Sequence, residues 1–428
     1  MDYAQTVSYL YHAAPAFSNV GAGAYKEGLS NTMALDIHFG HPHQHFRTIH
    51  VAGTNGKGSV SSTLAAILQS SGLKVGLYTS PHLVDFRERI RVNSEMIPEQ
   101  RVIDFVEQER AFFEPLYPSF FELTTALAFK FFAEQEVDVA VVEVGLGGRL
   151  DCTNIIRPDL SIITNISFDH QQFLGDTLAL IAGEKAGIIK TGVPVVIGET
   201  NGHDDVREVF LRAAKSKGAI IRFADEEQLP EVECELKGDY QRANMLTVQC
   251  ALDELRKQRS YRDLLTDEAI AYGLMHVTEL TGLQGRWQKL RERPTMVCDA
   301  GHNAAGIAYV VRQLEAQPNA RLRIVFGMVN DKDYQFALSE LERLQERATY
   351  YFTQPSCKRA LPAAELAAPY LAKNLPVRTF ATVQAAVQAA LADAAPDDFI
   401  FVGGSCYVVA DLLSAPTAAS AIASHKQR

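Results

Sequence analysis

Residues 51–72 read VAGTNGKGSVSSTLAAILQSSG, and the group Gly53, Gly56, Lys57, Gly58 and Ser59 is suited to hold an anion. The glycines let the main chain approach a ligand closely, Lys57 adds a mobile cation, and Ser59 offers a hydroxyl. The common phosphate-loop spelling places four residues between its first Gly and the Gly-Lys pair. Here only Thr54 and Asn55 intervene, and Gly58 separates Lys57 from Ser59. A solvated glycine turn with a surface lysine is the plainer alternative. The flanking sequence favours phosphate. Thr48–Ala52 is a short apolar run that reads as a buried strand. From Ser59 to Ser71, Val60, Leu64, Ile67 and Leu68 fall at helical spacing, and Gly72 is placed to end that helix. A strand-to-helix turn presents unpaired N–H groups and the positive end of the helix dipole, roughly half a unit charge.

Other reactive side chains follow strand ends, where ligands gather in open parallel sheets. In DVAVVEVGLGGRLDCTN, Glu143 falls near the end of a buried apolar strand. A carboxylate there needs a cation, either a metal or an arginine. Asp169 and His170 follow a strand ending at Asn165, and Ser80 follows one ending at Thr79. Hydroxyl, carboxylate and imidazole beside a phosphate loop are candidate ligands for Mg2+, which takes most of its oxygens from phosphate and water. Imidazole is unusual for that ion, so chemistry alone leaves His170 open. The run HPHQHF (His41, His43, His45) lacks acidic partners in sequence and reads as a solvated loop.

The elements that must position these groups are α/β throughout. Apolar runs recur at Val75–Thr79, Val137–Val144, Leu160–Asn165, Val193–Ile197 and Ile220–Phe223, with helices such as Thr124–Glu134 and Leu178–Ile189 between them. Continuous apolar runs suit parallel strands covered on both faces. A second series (Met296–Cys298, Leu322–Phe326, Tyr350–Thr353, Phe399–Val402) follows the polar stretch TGLQGRWQ. The reading is a mostly parallel P-loop-type domain over 1–284 and a smaller Rossmann-like α/β domain over 285–428. The tail SAPTAASAIASHKQR reads as loosely ordered. A net charge of −10 without a basic stripe argues against nucleic acid. Six scattered cysteines read as reduced thiols of a cytoplasmic protein. The N-terminus lacks a signal-peptide pattern and no apolar run approaches the ~20 residues of a membrane span. Short linkers and an acidic surface predict a monomer.

The chain resembles the folylpolyglutamate synthase/dihydrofolate synthase family of the Mur ligase superfamily nearly end to end. The matching motifs include GLSNTMALDIHFGHP, HVAGTNGKGSV, TSPHLVDFRERIRVN, VVEVGLGGRLDCTN, TNISFDHQQFLGDT, GEKAGIIKTGVPVV, GDYQRANM, GRWQ, DAGHN and GMVNDKD. The shorter glycine spacing is that family's norm. The resemblance implies an ATP-dependent amide ligase. It would phosphorylate a carboxylate of dihydropteroate or a tetrahydrofolate, and L-glutamate would then displace the phosphate. It implies that Gly53, Thr54, Asn55, Gly56, Lys57, Gly58 and Ser59 hold the ATP phosphates. Asn244, Arg286 and Asp299 match nucleotide contacts, with His302 near the nucleotide or glutamate. Ser80, Glu143 and His170 match ligands of two Mg2+ ions, and Lys57, Lys185 and His170 are the catalytic candidates. A monovalent cation such as K+ is left open. Lys185 matches a lysine that carries a carbamate, which forms only on a neutral amine. Phe121, Glu122, Leu150, Asp151 and Cys152 would line the pteroate pocket, where an aromatic wall stacks on a flat ring. Arg286 falls at the domain junction, so domain closure is expected to complete the ATP site.

Asp85 and Arg87 stand where relatives usually show a basic residue and Asn, Gln284 where Pro is common, and Gln172 where another residue often follows. The first departure lies near the substrate-facing loop. Three alternatives remain: a monofunctional folylpolyglutamate synthase, a peptidoglycan-type Mur ligase, and a catalytically silent nucleotide- or folate-binding module. Only about 50 residues precede Gly53, too few for the UDP-sugar domain of the second. FFELTTALAF and the N-terminal loop favour both folate activities.

Overall fold

A computed structural model describes residues 1–13, 28–200, 202–317 and 321–414. The tail beyond residue 414, read above as loosely ordered, lies outside these residues. The chain divides into two compact units. One comprises Met1–Glu235 with Tyr240–Leu283, the other Leu236–Asp239 with Gln284–Arg428.

The first unit is built on eight strands: β1 (Arg47–Ala52), β2 (Val75–Tyr78), β3 (Ile90–Val92), β4 (Glu95–Met96), β5 (Val139–Glu143), β6 (Leu160–Asn165), β7 (Val195–Glu199) and β8 (Ile221–Phe223). They lie in the order β4-β3-β2-β5-β1-β6-β7-β8. Six run parallel, while β3 and β4 pair antiparallel at one edge. The central strands are buried on both faces, which explains their uninterrupted Val/Ile sequence. From β1 the chain crosses to β2 on one side and later fills β6 on the other. The crevice beyond the carboxyl end of β1 is therefore the switch point where open α/β sheets take ligands. Register sets Val51 beside Glu143 and Ile162, bringing the ends of β5 and β6 to the glycine loop.

That loop feeds the helix Lys57–Ser70, which starts two residues before the apolar periodicity does. Gly56 is its left-handed N-cap (φ 82°), and Gly72 (φ 83°) closes it as expected of a C-terminal glycine.

The second unit has six strands: β9 (Gln288–Glu292), β10 (Thr295–Asp299), β11 (Leu322–Phe326), β12 (Ala348–Thr353), β13 (Val377–Phe380) and β14 (Phe399–Gly403), ordered β13-β12-β11-β14-β10-β9. All pair parallel except β9 against β10. The edge strands β9 and β13 are largely solvent-facing, so no continuous apolar run announces them.

Candidate functional site

The glycine loop is held by fixed polar partners. Asn165, the last residue of β6, accepts the Thr54 amide on its carbonyl (3.0 Å) and the Asn55 amide on Oδ1 (2.9 Å). The Thr54 hydroxyl donates to the Ser167 carbonyl (3.1 Å), and Thr164 donates to the Asn55 carbonyl. The two residues that shorten the loop thus pin it to the end of β6. Glycine is required at two points. A Cβ on Gly53 would stand 1.9 Å from Thr164 Oγ1, and one on Gly56 would stand 2.3 Å from Asn244 Oδ1. Asn244 therefore packs on the loop it was expected to serve. Its amide donates to Gln241 Oε1 (2.8 Å), and Gln241 Nε2 donates to the buried Ser59 hydroxyl (3.2 Å).

Two lysine amines converge on this turn. Lys57 Nζ donates to the carbonyls of Gly53 (3.0 Å) and Thr54 (3.1 Å). Lys185 Nζ, from the helix Leu178–Ala186, donates to the same Gly53 carbonyl (2.9 Å). Lys185 is only 4 % exposed. Burial, reinforced by the neighbouring Lys57 charge, pulls its pKa down to about 7, with Asp169 and Asp151 opposing. A lysine held there is substantially neutral at physiological pH and can act as a nucleophile toward CO2.

Glu143 is 2 % exposed at the end of β5, and its Oε2 accepts the Ser80 amide at 3.4 Å. His170 takes the left-handed conformation (φ 50°); its amide donates to Asp169 Oδ1 (2.9 Å), with Nε2 3.8 Å from the same oxygen. Among the described residues no group of three or more His, Cys, Asp or Glu side chains forms a ready metal cluster. A buried carboxylate beside a serine still fits Mg2+, whose remaining oxygens come from phosphate and water.

Phe121 packs on Gly145, where a Cβ would meet its ring at 2.4 Å, and its ring centre is 5.7 Å from that of Tyr78. Asp151 accepts the amides of Gly145 (3.0 Å), Leu146 (2.9 Å) and Thr153 (3.0 Å), so its carboxylate shapes the turn after β5. Burial raises its pKa, although these bonds counter the rise. Cys152, beside it, has its thiol pushed up by burial, and Leu150 is half-exposed. Glu122 is 4 % exposed and forms a capping box with Ser119, its Oε2 accepting the Ser119 amide at 2.6 Å. Its carboxylate thus serves the start of the helix Phe120–Glu134.

In the second unit Asp299, at the end of β10, accepts the Trp287 amide on Oδ2 and the Gly301 amide on Oδ1, each at 2.7 Å. It thereby ties the GRWQ turn to the DAGHN turn, and the Ala300 amide adds a bond to the Gly285 carbonyl (3.0 Å). Arg286 is half-exposed between these anchors, and His302 Nδ1 lies 3.1 Å from the Ala300 carbonyl. Trp287, held at φ 44°, sets its ring about 6 Å from Phe399 (6.2 Å) and Phe401 (6.1 Å). Asn303 caps the following helix through the Gly306 amide (2.9 Å).

One expectation needs correction. The histidine run does have an acidic partner: Asp36 is buried and places its two oxygens 2.6 Å from His41 Nδ1 and His43 Nδ1. The chain turns back on itself after the helix Ser30–His38, so residues five and seven positions on meet one carboxylate. Asp85 and Arg87, read as lying near the substrate-facing loop, also hold the helix Tyr3–Ala13. Tyr3 donates to Asp85 Oδ1 (2.7 Å), Arg87 chelates Asp85, and the guanidinium lies 5.3 Å from the Tyr3 ring centre. Thr164, Asn165 and Gln241 went unrecognised as loop partners. A Thr-Asn pair closing an apolar strand was the available signal.

Residues 51–250 match the Mur ligase middle domain, and residues 285–406 match the Mur ligase glutamate ligase domain. The chain is 35 % identical to the folylpolyglutamate synthase of Lacticaseibacillus casei over 435 residues, covering 95 % of this chain and 97 % of that protein. It is also 35 % identical to the dihydrofolate synthase/folylpolyglutamate synthase of Bacillus subtilis over 347 residues, covering 74 % and 79 % respectively. The structure of Escherichia coli FolC in complex with DHPP and ADP superposes with a TM-score of 0.81 at 29 % identity, covering 100 % of this chain and 99 % of that one.

Proposed function

Because this chain belongs to the folylpolyglutamate synthase/dihydrofolate synthase family of Mur ligases, we propose that its phosphate site serves two folate-type acceptors, 7,8-dihydropteroate and reduced folates. The chain is an ATP-dependent amide ligase that adds L-glutamate, with ATP and a divalent metal as cofactors. The observation that carries the site assignment is the meeting of Lys57 and Lys185 on the Gly53 carbonyl, beside buried Glu143.

A free carboxylate is a poor electrophile. The γ-phosphoryl group of ATP passes to the acceptor carboxylate, and the glutamate amine attacks the resulting acyl phosphate. The new C–N bond replaces the C–O bond to phosphate, which leaves. In this reading the amides after Gly56 and the Lys57 ammonium hold the transferring phosphoryl group. Ser80, Glu143 and His170 would hold the divalent ion, which supplies charge neutralisation on the phosphates when bound. Lys185 in its neutral form takes up CO2: the nitrogen bonds to carbon, one N–H proton is released, and the neutral amine becomes a carbamate anion. Phe121 offers its face to the pterin ring, with Leu150, Asp151 and Cys152 around the turn after β5. Asn244, Arg286, Asp299 and His302 are the proposed nucleotide contacts. No described helix is long and apolar enough to cross a membrane. We place the enzyme as a cytoplasmic monomer acting on small molecules, in keeping with its six free cysteines.

Glutamate-dependent ADP release from ATP and Mg2+, measured separately on 7,8-dihydropteroate and tetrahydrofolate, tests the reading. Release with both is the expected result. Release with tetrahydrofolate alone would make the enzyme monofunctional, and silence with both would leave a binding module.

A further inference from the structure

Arg89 is 7 % exposed, yet among the described residues it forms no ion pair with a carboxylate. Its Nε donates to His82 Nδ1 at 2.7 Å, and its guanidinium lies 5.2 Å from the centre of the Phe120 ring. Because His82 Nδ1 accepts, the ring proton sits on Nε2, which is 3.0 Å from the Tyr11 hydroxyl. An imidazole that accepts on Nδ1 carries a single ring proton, so it gives the guanidinium no negative charge and adds no positive one. Tyr11 in turn stacks on Phe120, with centroids 4.6 Å apart.

The acids of the same loop are committed elsewhere. Asp85 is chelated by Arg87 and accepts from Tyr3. Glu88 accepts the amides of Leu83 (2.7 Å), Val84 (2.9 Å) and Asp85 (2.7 Å). Glu122, two residues beyond Phe120, caps its own helix. A buried guanidinium surrounded by a neutral imidazole and aromatic rings is costly until an anion joins it.

The position of Arg89 indicates which anion. Its carbonyl accepts the amide of Thr79 (3.0 Å), the residue before Ser80, whose own amide bonds to Glu143. On its other side Phe120 adjoins Phe121, the proposed ring-stacking wall. Arg89 therefore stands between the ring pocket and the phosphoryl site. A reduced folate carries an α-carboxylate a few bonds from the γ-carboxylate that is phosphorylated, whereas dihydropteroate has none. Resting on the ligase reading above, we infer that Arg89 binds the α-carboxylate of the folate acceptor, held in place through His82 and Tyr11. The planar guanidinium suits a two-point bond to a carboxylate.

The test compares acceptors in the full-length enzyme. Wild type is assayed on dihydropteroate, on tetrahydrofolate, and on tetrahydrofolate with its α-carboxylate converted to the amide; Arg89→Gln is assayed on the same three. A charge-assisted pair of this kind corresponds to roughly 10- to 100-fold in KM. The expected result is a rise of that size for the α-amide in wild type and for tetrahydrofolate in Arg89→Gln, with no further rise when the two changes are combined. The loss with tetrahydrofolate should exceed that with dihydropteroate at least several-fold. His82→Gln, which keeps an acceptor, should retain a lower tetrahydrofolate KM than His82→Leu.

Equal KM for acid and amide in wild type would overturn the proposal even if Arg89→Gln fails to fold. So would a rise confined to the KM of L-glutamate. Wild type silent on every acceptor would instead overturn the ligase reading beneath it, and the proposal with it.

Discussion

The two sheets end in turns that handle charge in opposite ways. At the end of β1 two lysine amines are gathered on one acceptor: Lys57 and Lys185 share the Gly53 carbonyl, and burial together with the Lys57 charge disfavours the proton on Lys185. At the end of β10 the charge is absorbed, since Asp299 spends one oxygen on the Trp287 amide and the other on the Gly301 amide. The first arrangement weakens the hold of one amine on its proton and leaves the other cation to meet phosphate. The second stabilises two turns and presents Arg286 and His302 from a rigid base. Substitutions at the first turn should therefore reduce chemistry more than folding, and substitutions at the second should reduce both.

Lys57→Ala removes a cation from the transferring phosphoryl group and should lower kcat for ADP release about 10³-fold. Thermal unfolding should change little; a large drop in Tm would place Lys57 with the structural charges instead. Lys185→Met should cost roughly 100-fold or more in kcat while keeping the fold, because a buried near-neutral amine is replaced by an apolar chain of similar length.

The pH dependence of the wild type sharpens this second case. CO2 adds only to the neutral amine, so the initial rate of uptake at fixed dissolved CO2, followed by intact mass, should rise with pH through about 7 and level off above it. The folded-state pKa lies below the ordinary lysine value of 10.5. The unfolded chain therefore holds the extra proton between about 7 and 10.5, and the carbamate-free protein should gain stability from this group as pH rises through that window. A flat uptake profile from pH 6 to 8 would contradict it.

Asp299→Ala leaves two turn amides without their carboxylate and should destabilise by about 2–4 kcal/mol, with a parallel loss of activity. Intact Tm with lost activity would show that the second turn, too, serves chemistry first. The smallest effect belongs to neither turn. Tyr3→Phe frees one bond to Asp85 and should lower stability by about 1 kcal/mol, read from denaturant midpoints, with kcat nearly unchanged.

The sequence made the first turn legible because strand, glycines, lysine and helix are contiguous, and each follows a local rule. The central strands were legible for the same reason, being buried on both faces. What stayed hidden depends on distance along the chain or on exposure. Gln241 reaches Ser59 across 182 residues, and Tyr11 reaches His82 across 71. β3 and β4 have three residues and two, too few to show a period, and β13 alternates little along an exposed edge. The Asp36 contact with His41 and His43 needs a helix end and a turn that residue types alone do not specify. The similarity over most of the chain identified family and chemistry together, but it could not say that Asp85 and Arg87 anchor the N-terminal helix.

The chain contains one tryptophan, and it is the residue whose amide Asp299 holds. Trp287 follows Arg286 directly and lies against Phe399 and Phe401. The protein thus carries an optical probe at a turn proposed to meet nucleotide. Its emission can be followed during a stopped-flow mix with ATP, without a label, and separates nucleotide arrival from the later release of ADP.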